Sequence, residues 1–135
     1  AMESFFTPPP TSREEYLDSS ASWLVWHSKK YRDAQRTRAQ AAVDFDRSFY
    51  PEGGPRQLAA IYASGRRTEG LAKLTMPTLV LHGLDDTLIA PDGGERTAAI
   101  IPGAKLVMLE DMGHDLPEAL WPRYVSEFLE LTARV

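Results

Sequence analysis

The residues able to do acid–base chemistry in this chain fall in two short loops. The first reads His82-Gly83-Leu84-Asp85-Asp86-Thr87, the second Glu110-Asp111-Met112-Gly113-His114-Asp115. An imidazole titrates near neutrality, so His114 is suited to act as a general base. A carboxylate from the first loop can hold the imidazole Nδ1–H and stabilise the imidazolium that forms when the base takes a proton. Gly113 lets the backbone turn sharply ahead of the histidine. Other chemistries have less support. The chain has no cysteine, which excludes disulfides, thiolate zinc sites and a cysteine nucleophile. Its three histidines, at 27, 82 and 114, do not make a histidine-rich metal site.

Two loops can cooperate only if the fold brings them together. Thr78-Leu79-Val80-Leu81-His82 is a short apolar run that does not alternate, as expected of a strand covered on both faces of a parallel sheet. Asp92 to Ile101 reads as a helix ended by Pro102-Gly103, and Leu106-Val107-Met108-Leu109 is a second continuous apolar run. Pro117 opens a last helix, with Leu120, Trp121, Tyr124, Val125, Phe128 and Leu131 expected to face inward. Strand, helix, strand, helix makes a βαβ unit plus one helix, hence the α/β class. Parallel strands lie about 4.8 Å apart, so loops leaving their carboxyl ends can put an Asp and a His within hydrogen-bonding reach.

The first half is different. Residues 1–70 hold 10 Lys/Arg against 9 Asp/Glu and ten of the thirteen aromatics, whereas residues 71–135 hold 5 against 10. Gly65, Gly70 and Pro77 mark the boundary. Pro8-Pro9-Pro10 is a stiff lead-in, and Ser12 with Glu15 forms a capping box. Leu17, Ala21, Leu24 and Val25 continue at helical spacing. A second helix is expected from Asp33 to about Phe49, with Ala39, Ala42, Val43 and Phe49 inward. A third begins near Pro55, buries Leu58, Ile61 and Tyr62, and is capped by Gly65; Thr68 caps a short fourth.

At 135 residues, 43% hydrophobic and 25% charged, the composition is that of one ordinary globular domain. A net charge of −4 argues against nucleic acid as a partner. No apolar run reaches the 18 or so residues of a membrane span, and no signal segment is visible, so a cytoplasmic protein is the default expectation. Ala1-Met2 reads as a remnant ahead of a native start at Met2 or Glu3.

The paired loops carry a resemblance. The run P-T-L-V-L-H-G-L-D-D (77–86), followed by M-G-H-D-L-P (112–117), resembles the C-terminal part of an α/β-hydrolase. The resemblance places the triad acid on Asp86 rather than Asp85, and the triad histidine on His114, in the superfamily's acid-then-histidine order. Residues 1–75 are similar to the helical cap of esterase, lipase and methylesterase-like members, and residues 76–135 to the C-terminal part of the core. The resemblance implies ester hydrolysis through an acyl-enzyme, a small ester-like substrate and no metal or organic cofactor. Related chemistries on this scaffold are epoxide opening, dehalogenation and perhydrolysis. The family's G-x-S-x-G nucleophile elbow and its oxyanion-hole loop have no counterpart here. Ala63-Ser64-Gly65 is the nearest candidate and lacks the leading glycine. The expectation is therefore a fragment, inactive alone, that associates as a homo-oligomer or with a complementing N-terminal half.

The remaining polar and aromatic groups have plainer readings. His82 is expected to hold its loop by a hydrogen bond, and His27 to cap a helix or lie exposed. Lys29-Lys30-Tyr31-Arg32, with Arg36, Arg38 and Arg66-Arg67, reads as solvated helix faces. The cap aromatics Phe5, Phe6, Tyr16, Trp23, Trp26, Phe45, Phe49, Tyr50 and Tyr62 read mainly as inter-helix core, some possible acyl-pocket lining among them.

Overall fold

The computed structural model describes residues 8–133. The chain divides into two compact units. The first comprises residues up to Val25 and Asp33–Arg67; the second comprises Trp26–Arg32 and everything from Thr68 onward. Phe5 and Phe6 lie outside the described residues.

In the first unit, helix α1 (Arg13–Ser19) starts where the capping box puts it: the Ser12 hydroxyl accepts from the Glu15 N–H. The box closes one residue early, because the Glu15 carboxylate accepts from the Thr11 N–H and hydroxyl, both at 2.8 Å. The expected stripe beyond Leu17 does not form. The chain tightens into a 3-10 turn over Ser20–Val25, and Ser20 is buried while Ala21 and Val25 are exposed. The cause is local. The hydroxyls of Ser19, Ser20 and Ser22 each bond the carbonyl three residues back, at 2.6–2.7 Å, which favours the three-residue period.

Helix α2 (Ala34–Arg47) is capped by the Asp33 carboxylate on the Gln35 and Arg36 N–H groups. Its inward face is Thr37 and Ala41, rotated from the expected one; Ala39 and Val43 are exposed. Burying Thr37 costs little because its hydroxyl bonds the Asp33 carbonyl at 2.8 Å. The rotation serves an aromatic cluster. The Tyr16 ring meets those of Trp23, Phe45 and Phe49 at 5.5, 5.6 and 5.8 Å, and Phe45 stacks on Phe49. Arg38 is not on a merely solvated face: it pairs with Glu14 and Asp18. Helix α3 (Gly53–Ser64) ends at Gly65, whose φ of +58° needs a glycine. It buries no residue, and Ile61 and Tyr62 are exposed rather than inward.

The second unit holds the short helix α4 (Thr68–Leu71) and a βαβ unit made of strand β1 (Leu79–Gly83), helix α5 (Pro91–Ile100) and strand β2 (Lys105–Leu109). The strands pair directly and in parallel, Leu79 opposite Lys105 and Gly83 opposite Leu109. Ile101, Val107, Met112 and Tyr124 form the core. A short 3-10 turn (Glu118–Leu120) leads into helix α6 (Trp121–Thr132). That helix is rotated from its expected face: it buries Tyr124 and Glu127 and exposes Trp121, Val125, Phe128 and Leu129. Glu127 goes inside because Lys105 and Arg123 neutralise it, each at 2.6 Å. Among the described residues no helix is long and apolar enough to cross a membrane.

Candidate active site

Both acid–base loops leave the same end of the β1–β2 pair. The ladder continues past the strands: the Leu84 N–H bonds the Leu109 carbonyl and the Asp85 N–H bonds the Met112 carbonyl, both at 2.9 Å. This locks the first loop onto the second. Gly83 is required at the junction, since a Cβ there would lie 2.2 Å from the Met112 carbonyl oxygen.

Asp86 is 7% exposed and fully engaged. Its Oδ1 accepts from the Leu88 and Ile89 N–H groups at 2.8 and 2.9 Å. Its Oδ2 lies 2.8 Å from His114 Nδ1. An ionised carboxylate only accepts, so Nδ1 carries a proton, and in the neutral tautomer of the ring the lone pair is on Nε2. Burial alone would push the Asp86 carboxyl up. The His114 bond and the two backbone N–H groups outweigh burial and hold it below its ordinary value. A depressed carboxyl contributes stability above its unfolded pKa, and that contribution is lost as pH falls through the folded value.

The neighbouring acids point elsewhere. Asp85 accepts from the Lys29 N–H at 2.9 Å and its ammonium at 2.8 Å, which keeps its carboxyl below the ordinary value. Asp111 takes the Lys30 ammonium at 2.5 Å. Asp115 accepts from the Ser28 N–H at 2.7 Å. Lys29 and Lys30 are therefore partners of the acidic loops, not a solvated helix face. His27 is neither cap nor exposed; its Nδ1 lies 3.9 Å from Asp115. His82 holds its loop, with Nε2–H donating to the Ile89 carbonyl at 3.0 Å and the ring packed where a Cβ on Gly94 would sit.

A cavity of about 190 Å³ opens beside the pair. Leu81, Ile89 and Met112 give it apolar walls, and His82, Asp86 and His114 give it a polar end. Sequence reasoning placed Asp86 and His114 in matching loops but missed segment 26–32, which touches both loops. The one available signal was charge: a basic run against an acidic second half.

No family model matches the chain. It is 41% identical over 66 residues to the non-heme chloroperoxidase CPO-A1 of Kitasatospora aureofaciens, covering 48% of this chain and 24% of that protein. It is 40% identical over 50 residues to the rhodomycin D methylesterase DauP of Streptomyces sp. (strain C5), covering 37% of this chain and 17% of that one. Among solved structures it superposes on an esterase from Exiguobacterium antarcticum with a TM-score of 0.54 at 20% identity, over 90% of this chain and 46% of that one. The chain thus spans about a quarter or less of these two curated relatives and under half of the solved esterase. Its fold is that of the C-terminal part of an α/β-hydrolase, as the paired loop motifs lead one to expect.

Proposed function

We propose that this chain supplies the acid and the base of a serine hydrolase of carboxylic esters, residues 1–75 serving as its cap and 76–135 as part of its core. The observation that carries the reading is the 2.8 Å contact between Asp86 Oδ2 and His114 Nδ1 at one end of a parallel strand pair. In the reaction a serine from outside these 135 residues attacks the ester carbonyl. His114 Nε2 takes the serine proton, Asp86 stabilises the resulting imidazolium, and His114 returns the proton to the leaving alcohol. Water, activated by the same nitrogen, then releases the acid. The likeness to a methylesterase and an esterase supports this substrate class. Perhydrolysis, in which hydrogen peroxide replaces water at the acyl-enzyme, needs the same pair, and the likeness to a chloroperoxidase favours it as the alternative.

A fluorophosphonate probe tests the assignment, because it labels only an activated nucleophile. The 135-residue chain should remain unlabelled. A version extended upstream through a G-x-S-x-G elbow should label at that serine. Labelling of the short chain would overturn the division of roles.

A second reading, association, has its own observation. Trp121, Val125, Phe128 and Leu129 are exposed on α6, and among the described residues no third strand pairs with either edge of the β1–β2 sheet. The chain should sediment as a dimer or larger species at micromolar concentration; a cooperative, melting monomer would count against association.

A further inference from the structure

Three of the four acids of the two loops that the dyad does not use, Asp85, Asp111 and Asp115, are bound to one short segment, Trp26–Arg32. The His114 N–H itself donates to the Trp26 carbonyl at 2.6 Å. On one side of His114, Gly113 lies so close to the segment that a Cβ would sit 2.3 Å from the Trp26 oxygen and 2.6 Å from the Ser28 nitrogen. On the other side, the Asp115 carboxylate takes the Ser28 N–H at 2.7 Å. Ser28 is fully buried, and its own hydroxyl and carbonyl accept from the Tyr31 and Arg32 N–H groups, which braces the turn. Lys29 and Lys30 extend the hold to Asp85 in the first loop and Asp111 in the second.

We infer that segment 26–32 is a positioning strap for the Asp86–His114 pair, with Asp115 the positioning residue that couples it to the histidine. The inference rests on the acid–base reading of that pair. His114 is half-exposed, and one hydrogen bond at Nδ1 leaves its ring free to swing. The strap removes that freedom from the backbone side. It fixes residues 113, 114 and 115 at three consecutive points, so the ring reaches Asp86 in one orientation. Neither loop fixes the His114 backbone, because the backbone bonds between the loops fall at Leu84 and Asp85, whereas the His114 N–H goes to the strap. Asp115 acts through the histidine's backbone and touches no reacting atom.

The test reads the His114 ring nitrogens by NMR in the 135-residue chain, above the pH at which imidazoles protonate. The parent chain should show the Nδ1–H tautomer, and Asp86→Ala should show a mixed population. Asp115→Ala should move His114 toward that same mixture, whereas Asp115→Asn, which keeps an oxygen for the Ser28 N–H, should restore the parent spectrum. The double variant Lys29→Ala/Lys30→Ala removes only two ion pairs made by exposed lysine side chains and guards against misfolding of Asp115→Ala. It should speed exchange of the His114 amide by about tenfold or more. Unchanged ring signals in a folded Asp115→Ala, or unchanged amide exchange in the double lysine variant, would overturn the strap. If parent and Asp86→Ala rings are alike, the acid–base reading fails instead.

Discussion

Replacing His114 with alanine, in a protein that joins this segment to its serine elbow, should lower kcat for a short-chain aryl ester by about 10⁴-fold or more. General-base catalysis alone is worth about 10²–10⁴. The larger figure applies because base, acid and nucleophile act as a unit: without the base, the serine stays a poor nucleophile. Asp86→Asn should fall nearly as far, for a reason visible in the geometry. The Leu88 and Ile89 N–H groups both point at Oδ1. A carboxamide must keep its oxygen there, which turns its NH₂ toward Nδ1. The ring then accepts at Nδ1 and carries its proton on Nε2, where a base needs a lone pair. The double variant should be no worse than His114→Ala alone. Steady-state kinetics settles the matter; undiminished turnover by either variant would remove the pair from the mechanism.

Gly113→Ala should destabilise the chain by about 3 kcal/mol or more, toward the upper end of single-substitution effects. The atoms a Cβ would meet are the Trp26 oxygen, the His27 carbonyl carbon and the Ser28 nitrogen, at 2.3, 2.5 and 2.6 Å. All are backbone, so no side chain can rotate away. Either the strap lifts or the His114 loop shifts, and both lose the hydrogen bond between them. Gly54→Ala is the contrast. That glycine lies in the first turn of α3 with nothing within 4 Å of its Cβ position, and alanine there should stabilise by about 0.5–1 kcal/mol. Denaturant unfolding of the three proteins gives both numbers. Equal stability of Gly113→Ala and the parent would mean the strap does not lie where it is described.

The glycine illustrates what sequence reading captures. Gly113 was expected to permit a sharp turn, but its φ is not in the left-handed region; it is needed for space, against a segment 85 residues earlier. Local signals transferred well. The Ser12 cap, the start of α2 at Asp33, the Gly65 C-cap, both strands and α5 fall within a residue or two of their expected places, because each depends on neighbours in the chain. The Asp86–His114 pair was legible because a motif fixed its spacing; residue types alone left Asp85 open, and only Lys29 explains where that side chain goes. Faces of helices were the weak point. On α6 the apolar residues Trp121, Val125 and Phe128 suggested the inward side, yet Glu127 took it once Lys105 and Arg123 could pair with it. On α1 three serines rewrote the helical period through their own hydroxyls. Such outcomes depend on partners far away in sequence or on hydroxyl geometry that hydrophobic periodicity does not see.

What matters most is where one proton resides. Nitrogen NMR of the histidine rings in the parent chain, recorded above the imidazole range, locates it directly. Hydrogen on Nδ1 of His114, with Nε2 bare, is the expected spectrum. A His114 ring that carries its hydrogen on Nε2, or averages between the two nitrogens as free imidazole does, would contradict the pairing with Asp86 and the chemistry built on it.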